Sequence, residues 1–260
     1  MELKTRPQIE AEYTAKAARL SERHRKELAK LLGNPPDIRN VPGEFWQRVQ
    51  KEEEELLTAV ILLLFFKNGL EHDGDEYFMR RQAEMFARQR AASVSRQYAV
   101  NSIAKGLTLN HRIAKGGRAG GSPAGGGASQ PGAGAAGGGS KADGGAIVLP
   151  PGSATPRGGV LTPDEFSERI FNPSRSDGLV ITEITNASVS GGESAMGLKG
   201  RRSALDRWVT HPERSKSGPC KTCEPLNGTP RQFWERIHPQ GPPVHRICCC
   251  EIEYAAVLQP

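Results

Sequence analysis

Cys220-Lys221-Thr222-Cys223, followed by Pro242-Pro243-Val244-His245-Arg246-Ile247-Cys248-Cys249-Cys250, holds all five cysteines of this 260-residue chain and one of its six histidines. Soft ligands gathered this closely pin the C-terminal end into a compact unit, through a metal or through disulfides. A Cys-x-x-Cys turn aims two sulfurs at one centre, and a second pair of ligands arriving from a distant segment closes a tetrahedron, the geometry of structural zinc. Cys220, Cys223, His245 and either Cys248 or Cys250 supply four such ligands. In an extended strand Cys248 and Cys250 share one face and Cys249 takes the other, which makes Cys249 the weakest candidate. Zinc in a structural role is the expected cofactor, with reduced thiols or a redox-dependent disulfide as the alternative. Five candidate ligands leave no indication of an open position for a catalytic water. The chain also lacks Gly-x-Ser-x-Gly, His-Glu-x-x-His and a paired-carboxylate signature, so no catalytic residues are expected and the protein is read as no enzyme.

Met1 to Arg6 is polar and has no apolar core or cleavage site of a secretory leader, so synthesis and retention in a cytoplasm are expected. There disulfides are disfavoured and a cysteine cluster is more often a metal site. The formal charge of +6 permits contact with nucleic acid or an acidic protein surface without demanding it.

Upstream, composition divides the chain. Only 37% of residues are hydrophobic and 6% aromatic, while glycine and proline are abundant, so two modest cores are expected in place of one large one. The fold class expected is α+β: a helical N-terminal domain over 1–115, a flexible Gly/Ala/Pro/Ser-rich linker over 116–159, and a small α+β domain over 160–260 that carries the Cys/His cluster. The linker lacks the apolar residues needed to offset its ordering entropy.

Within the first region, 5–33 reads as an amphipathic helix closed by Gly33-Asn34-Pro35-Pro36. A second helix starts near Pro42 and runs through Leu56 to Phe66, an apolar run about half the ~20 residues a bilayer requires, so it is read as a helix buried within a bundle, with no membrane contact. A third, from about 75 to 115, places Phe78, Met85, Phe86, Val94, Tyr98, Ile103 and Leu107 among Arg80, Arg81, Arg88, Arg90, Arg96, Lys105, Arg112, Lys115 and Arg118. Its 80–118 stretch is basic enough to lie along phosphates or an acidic protein. In the last region, Thr162-Pro163-Asp164-Glu165 is a helix start. A helix over roughly 176–198 carries small residues that would let another element approach closely, and 207–210 and 250–254 read as strands.

In the order of these motifs the region 161–256 resembles the phage head morphogenesis family, the Mu F-like minor head proteins. The resemblance is carried by Val180-Ile181-Thr182-Glu183-Ile184, then Asp206-Arg207-Trp208-Val209-Thr210, then Cys220-x-x-Cys223-x-x-Leu226-Asn227-Gly228, and finally Pro242-Pro243-x-His245-x-x-Cys248-x-Cys250. Two positions depart from the family pattern: Asn227 stands for its usual Asp, and Cys249 for its usual Arg. The resemblance implies a minor structural protein of a tailed-phage head, made in the host cytoplasm and residing in the virion head. Its partners would be the portal, the scaffold or major capsid protein, and packaged DNA through 80–118. The resemblance also implies Thr182 and Glu183 as a buried helix-to-strand link, Trp208 as a core aromatic, and Asn227 with Gly228 as a turn. A zinc-stabilised nucleic-acid-binding module is the alternative.

Overall fold

A computed structural model describes residues 4–116, 161–214 and 220–255. It is mostly helical, with one small sheet at the C-terminal end. Helix α1, Arg6–Leu31, starts where Gln8 accepts a hydrogen bond from the Thr5 backbone (2.8 Å), with Pro7 in its first turn. Its buried residues, Ile9, Tyr13, Ala17, Ser21, His24 and Leu28, recur every three or four positions and form one stripe. Gly33, at φ +76°, lets the chain turn away.

Helix α2, Gly43–Glu71, follows Pro42 and buries Phe45, Trp46, Val49, Leu57, Val60, Ile61, Leu64 and Phe65. No helix of the described residues is long and apolar enough to cross a membrane. Helix α3, Glu76–Gly116, meets α2 along a face the sequence did not advertise. Met79, Ala83, Ala87 and Ala91, spaced by four, are fully buried, while Met85 and Leu107 are 59% and 48% exposed. Small side chains on an i, i+4 ridge allow two helices to approach closely, while Phe78, Phe86 and Val94 pack against the edge of the same cluster.

After 117–160, which lie outside the described residues and include the expected linker, helix α4, Pro163–Ile170, begins with a capping box. Thr162 Oγ1 accepts from Glu165 N (3.2 Å) and Glu165 accepts from Thr162 N (2.8 Å). Helix α5, Pro173–Leu198, is capped by Asn172 and lies at the centre of the molecule. Its glycines explain how: a Cβ on Gly191 would come within 2.2 Å of the Phe65 carbonyl of α2, and one on Gly192 within 2.8 Å of the Tyr254 hydroxyl. The expected close approach therefore occurs on both sides of α5.

The apolar cores of the described residues draw on segments from both sides of 117–160. One apolar cluster joins Ile9 and Tyr13, Leu57 to Phe65, and Met79 to Ala91 with Val180, Ile184, Ala187 and Ala195. A second joins Leu28, Phe45, Trp46 and Tyr98 with Phe166, Ile170 and Phe171. Helices from both sides of the low-complexity tract thus share their cores. Composition alone does not say whether the segments on either side of 117–160 pack together.

The third cluster is the C-terminal unit, where Trp208, Trp234, Cys223, Leu226, Cys248, Cys250 and Ile252 pack against Val189 of α5. Strands β1, Arg207–Val209, and β2, Glu251–Glu253, pair antiparallel with Trp208 opposite Ile252. The short helix α6, Arg231–Trp234, packs on β1. Buried Asp206 ties the unit together, accepting from Arg231 Nε (3.1 Å), Ser203 N (3.0 Å) and Ala255 N (2.9 Å).

The bundle also buries an acid. Glu53 of α2 is 1% exposed, and its Oε1 has no hydrogen-bond partner. Burial, only partly opposed by the charge of Arg175, pushes its carboxyl up to about 7. The folded chain then holds a proton between the usual carboxylate range and pH 7 that the unfolded chain has released, so stability falls as pH rises through this window. Glu53→Gln should match the wild type at pH 4 and exceed it at pH 8 by roughly 3 kcal/mol, since each tenfold change in proton affinity between the folded and unfolded chain is worth about 1.4 kcal/mol. Urea unfolding at the two pH values checks this, and an equal difference at both would contradict it.

Candidate metal centre

The two ligand segments are positioned by different devices. At the first, Cys220 O accepts from Cys223 N (3.0 Å) and Glu224 N (2.8 Å), which curls Cys-x-x-Cys into a turn. Leu226 anchors the following residues in the core. Gly228 takes the left-handed conformation at φ +73°, and its N–H donates to Trp208 O (2.7 Å), while Asn227 Oδ1 accepts from Thr210 N (3.0 Å). The expected turn is therefore stitched to β1, and Trp208 beside it is fully buried.

The second segment hangs from α5. Thr182 Oγ1 donates to Gly178 O (2.6 Å) and accepts from Ile247 N (3.0 Å), and the Thr185 hydroxyl donates to Cys248 O. Ile247 sits at φ +62°, a left-handed conformation that costs a β-branched residue on the order of 1–3 kcal/mol. The two threonine contacts hold the backbone on either side of it. Arg6 of α1 reinforces them, donating to Thr185 Oγ1 (2.7 Å) and to Glu251 of β2 (2.7 Å).

These devices bring the predicted ligands together. Cys220 Sγ and Cys223 Sγ lie 2.9 and 3.0 Å from His245 Nε2, and Cys223 Sγ lies 3.8 Å from Cys248 Sγ. The ligand atoms of Cys220, Cys223 and His245 lie within 4.8 Å of one another, as do those of Cys223, Cys248 and Cys250. All five cysteines are free thiols. Cys249 points away, toward the Arg214 and Ile247 carbonyls (3.8 and 3.7 Å), and its thiol is pushed up to about 11, chiefly by burial.

Charge in the cluster is concentrated at one end. Hydrogen bonds from Cys223 and Cys250 outweigh burial and hold Cys248 low as a thiolate, and that thiolate pushes His245 up to about 9. Hydrogen bonding to Cys248 and Cys250 raises Cys223. A hydrogen bond with Cys223 favours the Cys250 thiolate, but the Cys248 charge and burial overcome it and push Cys250 up to about 12. His245 Nδ1 faces the Arg246 carbonyl at 2.8 Å, and a carbonyl can only accept, so Nδ1 carries a proton and Nε2 is directed at the sulfurs.

The cluster fits a metal ion. Bonds of about 2.3 Å to two thiolates at the tetrahedral angle separate the sulfurs by about 3.8 Å, the separation found between Cys223 and Cys248. For imidazole and thiolate the same geometry gives about 3.5 Å, so the His245 ring would retreat by roughly half an ångström from its present contacts, exchanging Nε2–H for a metal bond. Cys220, Cys223 and His245 with either Cys248 or Cys250 would supply four ligands, and the contacts of Cys248 with Cys223 and His245 favour Cys248. The Cys250 sulfur lies within 4.8 Å of those of Cys223 and Cys248, where the Cys248 charge and burial favour a neutral thiol.

Two expected roles change. Thr182 does link helix to loop, but Glu183, 2% exposed, turns the other way and makes a two-pronged ion pair with Arg90 of α3 (2.7 and 2.9 Å). One arginine of the basic 80–118 stretch is thereby spent inside the molecule. Thr185 and Arg6 were not foreseen. A threonine three residues after Thr182, on the same helical face, was the available signal. Compared with protein-family models, with curated proteins and with solved structures, the chain has no match.

Proposed function

We propose that this chain is a minor structural protein of a tailed-phage head, bound at the portal vertex or to the scaffold during assembly, with a C-terminal unit stapled by zinc. The observation that carries this is the convergence of Cys220-x-x-Cys223-x-x-Leu226-Asn227-Gly228 with Pro242-Pro243-x-His245-x-x-Cys248, the two most specific elements of the sequence resemblance, on one cluster. Its thiolate and imidazole donors are those of a closed structural zinc site, in which protein ligands fill every position. Residence in the virion head and contact with packaged DNA belong to the same proposal. A zinc-stabilised nucleic-acid-binding module is the second reading, favoured by the exposed Arg80, Arg81, Arg88 and Arg96 along α3.

Antibody detection in purified heads of the phage or prophage that encodes the chain, together with co-expression beside that genome's portal protein, tests the proposal. Presence in few copies per head and co-sedimentation with the portal are expected. Heads without the protein and a portal that leaves it in the supernatant would refute it, and salt-dependent DNA binding in that situation would favour the second reading.

A further inference from the structure

On the side of the bundle where α3, α4 and α5 meet, four cations from four chain segments converge. Arg175, in the first turn of α5, lays its guanidinium 4.4 Å from the Tyr98 ring centroid and donates to Ser102 Oγ (3.0 Å), Ile170 O (3.2 Å) and Tyr98 O (3.3 Å). Arg246, in the loop after His245, donates to the Arg175 carbonyl and lies over Gly178, where a Cβ would come within 2.6 Å of its Nε. Lys105 of α3 stands one turn beyond Ser102, and Arg169 of α4 directly precedes Ile170. The ammonium of Lys105 is depressed by burial and then by Arg175, Arg246 and Arg169, which places each of the three within electrostatic reach of Lys105.

Several other cations of this protein are neutralised: Arg6, Arg25, Arg90, Arg214 and Arg231 each face a carboxylate. Among the described residues, Lys105, Arg169, Arg175 and Arg246 make no ion pair. The carboxyl that acts on Arg175, Glu53, is buried and pushed up to about 7, so that near neutral pH it carries only part of a charge. Exposed Arg112 continues the row seven residues along α3 from Lys105, about 10 Å farther on at 1.5 Å per residue. Like charges are assembled here with Glu165, four residues before Arg169, as a neighbouring carboxylate, and two guanidiniums are fixed by hydrogen bonds to the backbone and to Ser102.

We infer that this surface is a phosphate-binding site that takes the backbone of a nucleic acid. Guanidinium forks match the paired oxygens of a phosphate. The continuation from Lys105 to Arg112 suits a chain of phosphates better than a single ion. The site gives the DNA contact proposed above its residues and in that respect rests on it.

Fluorescence anisotropy of the full, reduced, zinc-supplied chain with labelled duplex and single-stranded 20-mers tests the site, with inorganic phosphate and poly-glutamate as competitors. Lys105→Gln/Arg112→Gln/Arg169→Gln should weaken binding at least about ten-fold at low salt and flatten the salt dependence by two to three, at about 0.9 per phosphate contact on duplex DNA. Arg80→Gln/Arg81→Gln/Arg96→Gln removes the same charge elsewhere on the protein and should change affinity less than about three-fold. Arg112→Gln alone, on an exposed side chain, should flatten the salt dependence by about one. Failure of the wild type to bind either oligonucleotide, equal losses in the two triple variants, or displacement by poly-glutamate as effective per charge as by unlabelled DNA would overturn the site. Binding of inorganic phosphate with no gain for the oligonucleotide would overturn the nucleic-acid assignment. A chain that enters heads but shows no DNA affinity defeats this site and leaves the assembly proposal standing, while DNA affinity without entry into heads does the reverse.

Discussion

Cys223→Ser should abolish metal binding and unfold the C-terminal unit while leaving the helical bundle in place. Cys223 is the one residue that belongs to both ligand groups, 3.0 Å from His245 and 3.8 Å from Cys248. Binding of structural zinc contributes apparent free energies on the order of 10–16 kcal/mol in small peptides, and here the third apolar cluster shares the task. A loss of at least about 4 kcal/mol is expected for that unit, in line with the removal of a metal from a small module. Two of the three tryptophans, Trp208 and Trp234, are buried there, so tryptophan emission should shift to the red on adding a chelator to the zinc-loaded wild type, with little change in helical circular dichroism. Cys248→Ser should behave as Cys223→Ser does. Cys250→Ser and Cys249→Ser should still bind one equivalent of zinc, because neither completes the Cys220, Cys223, His245, Cys248 tetrahedron. A reduced wild type that takes up no zinc would sink the metal assignment, and loss of stoichiometry in Cys250→Ser but not in Cys248→Ser would exchange the fourth ligand.

Gly191→Ala should destabilise the whole bundle by about 3 kcal/mol, at the upper end of what one added methyl group costs in a packed interior. The new Cβ would stand 2.2 Å from the Phe65 carbonyl oxygen, and that obstacle is backbone, so no rotamer change relieves it. Helices α2 and α5 would have to separate, opening the cluster that joins Leu57 to Phe65 with Val180, Ile184 and Ala187. Gly43→Ala is the matched control, since its Cβ meets nothing within 4 Å, and a change within about 0.5 kcal/mol is expected there. Chemical denaturation followed by far-ultraviolet circular dichroism compares the two. Equal stability of Gly191→Ala and the wild type would mean that segments on the two sides of 117–160 do not share a core.

Much of the local structure was legible. Thr162-Pro163-Asp164-Glu165 announced the start of α4, and Gly33 the end of α1, because caps and turns depend on neighbours a few residues away. The strands at 207–209 and 251–253 and the turn at Asn227-Gly228 appeared where expected. The contact ridge of α3 was not legible in the sequence. The fully buried ridge includes Ala83, Ala87 and Ala91, small residues whose value depends on how near another helix comes.

The sequence by itself determined the helices, their caps, the two ligand pairs and the outward orientation of Cys249, since each follows from spacing along one element. Tertiary structure decided the rest. It set Cys248 and Cys250 together beside Cys223, with Cys248 the one that also interacts with His245. It sent Glu183 to Arg90, set Thr185 and Arg6 behind the ligand loop, and merged the helices on both sides of the low-complexity tract into common cores. These are pairings between residues far apart in the chain, fixed by how closely whole elements approach, and a local pattern of side chains carries no record of that distance.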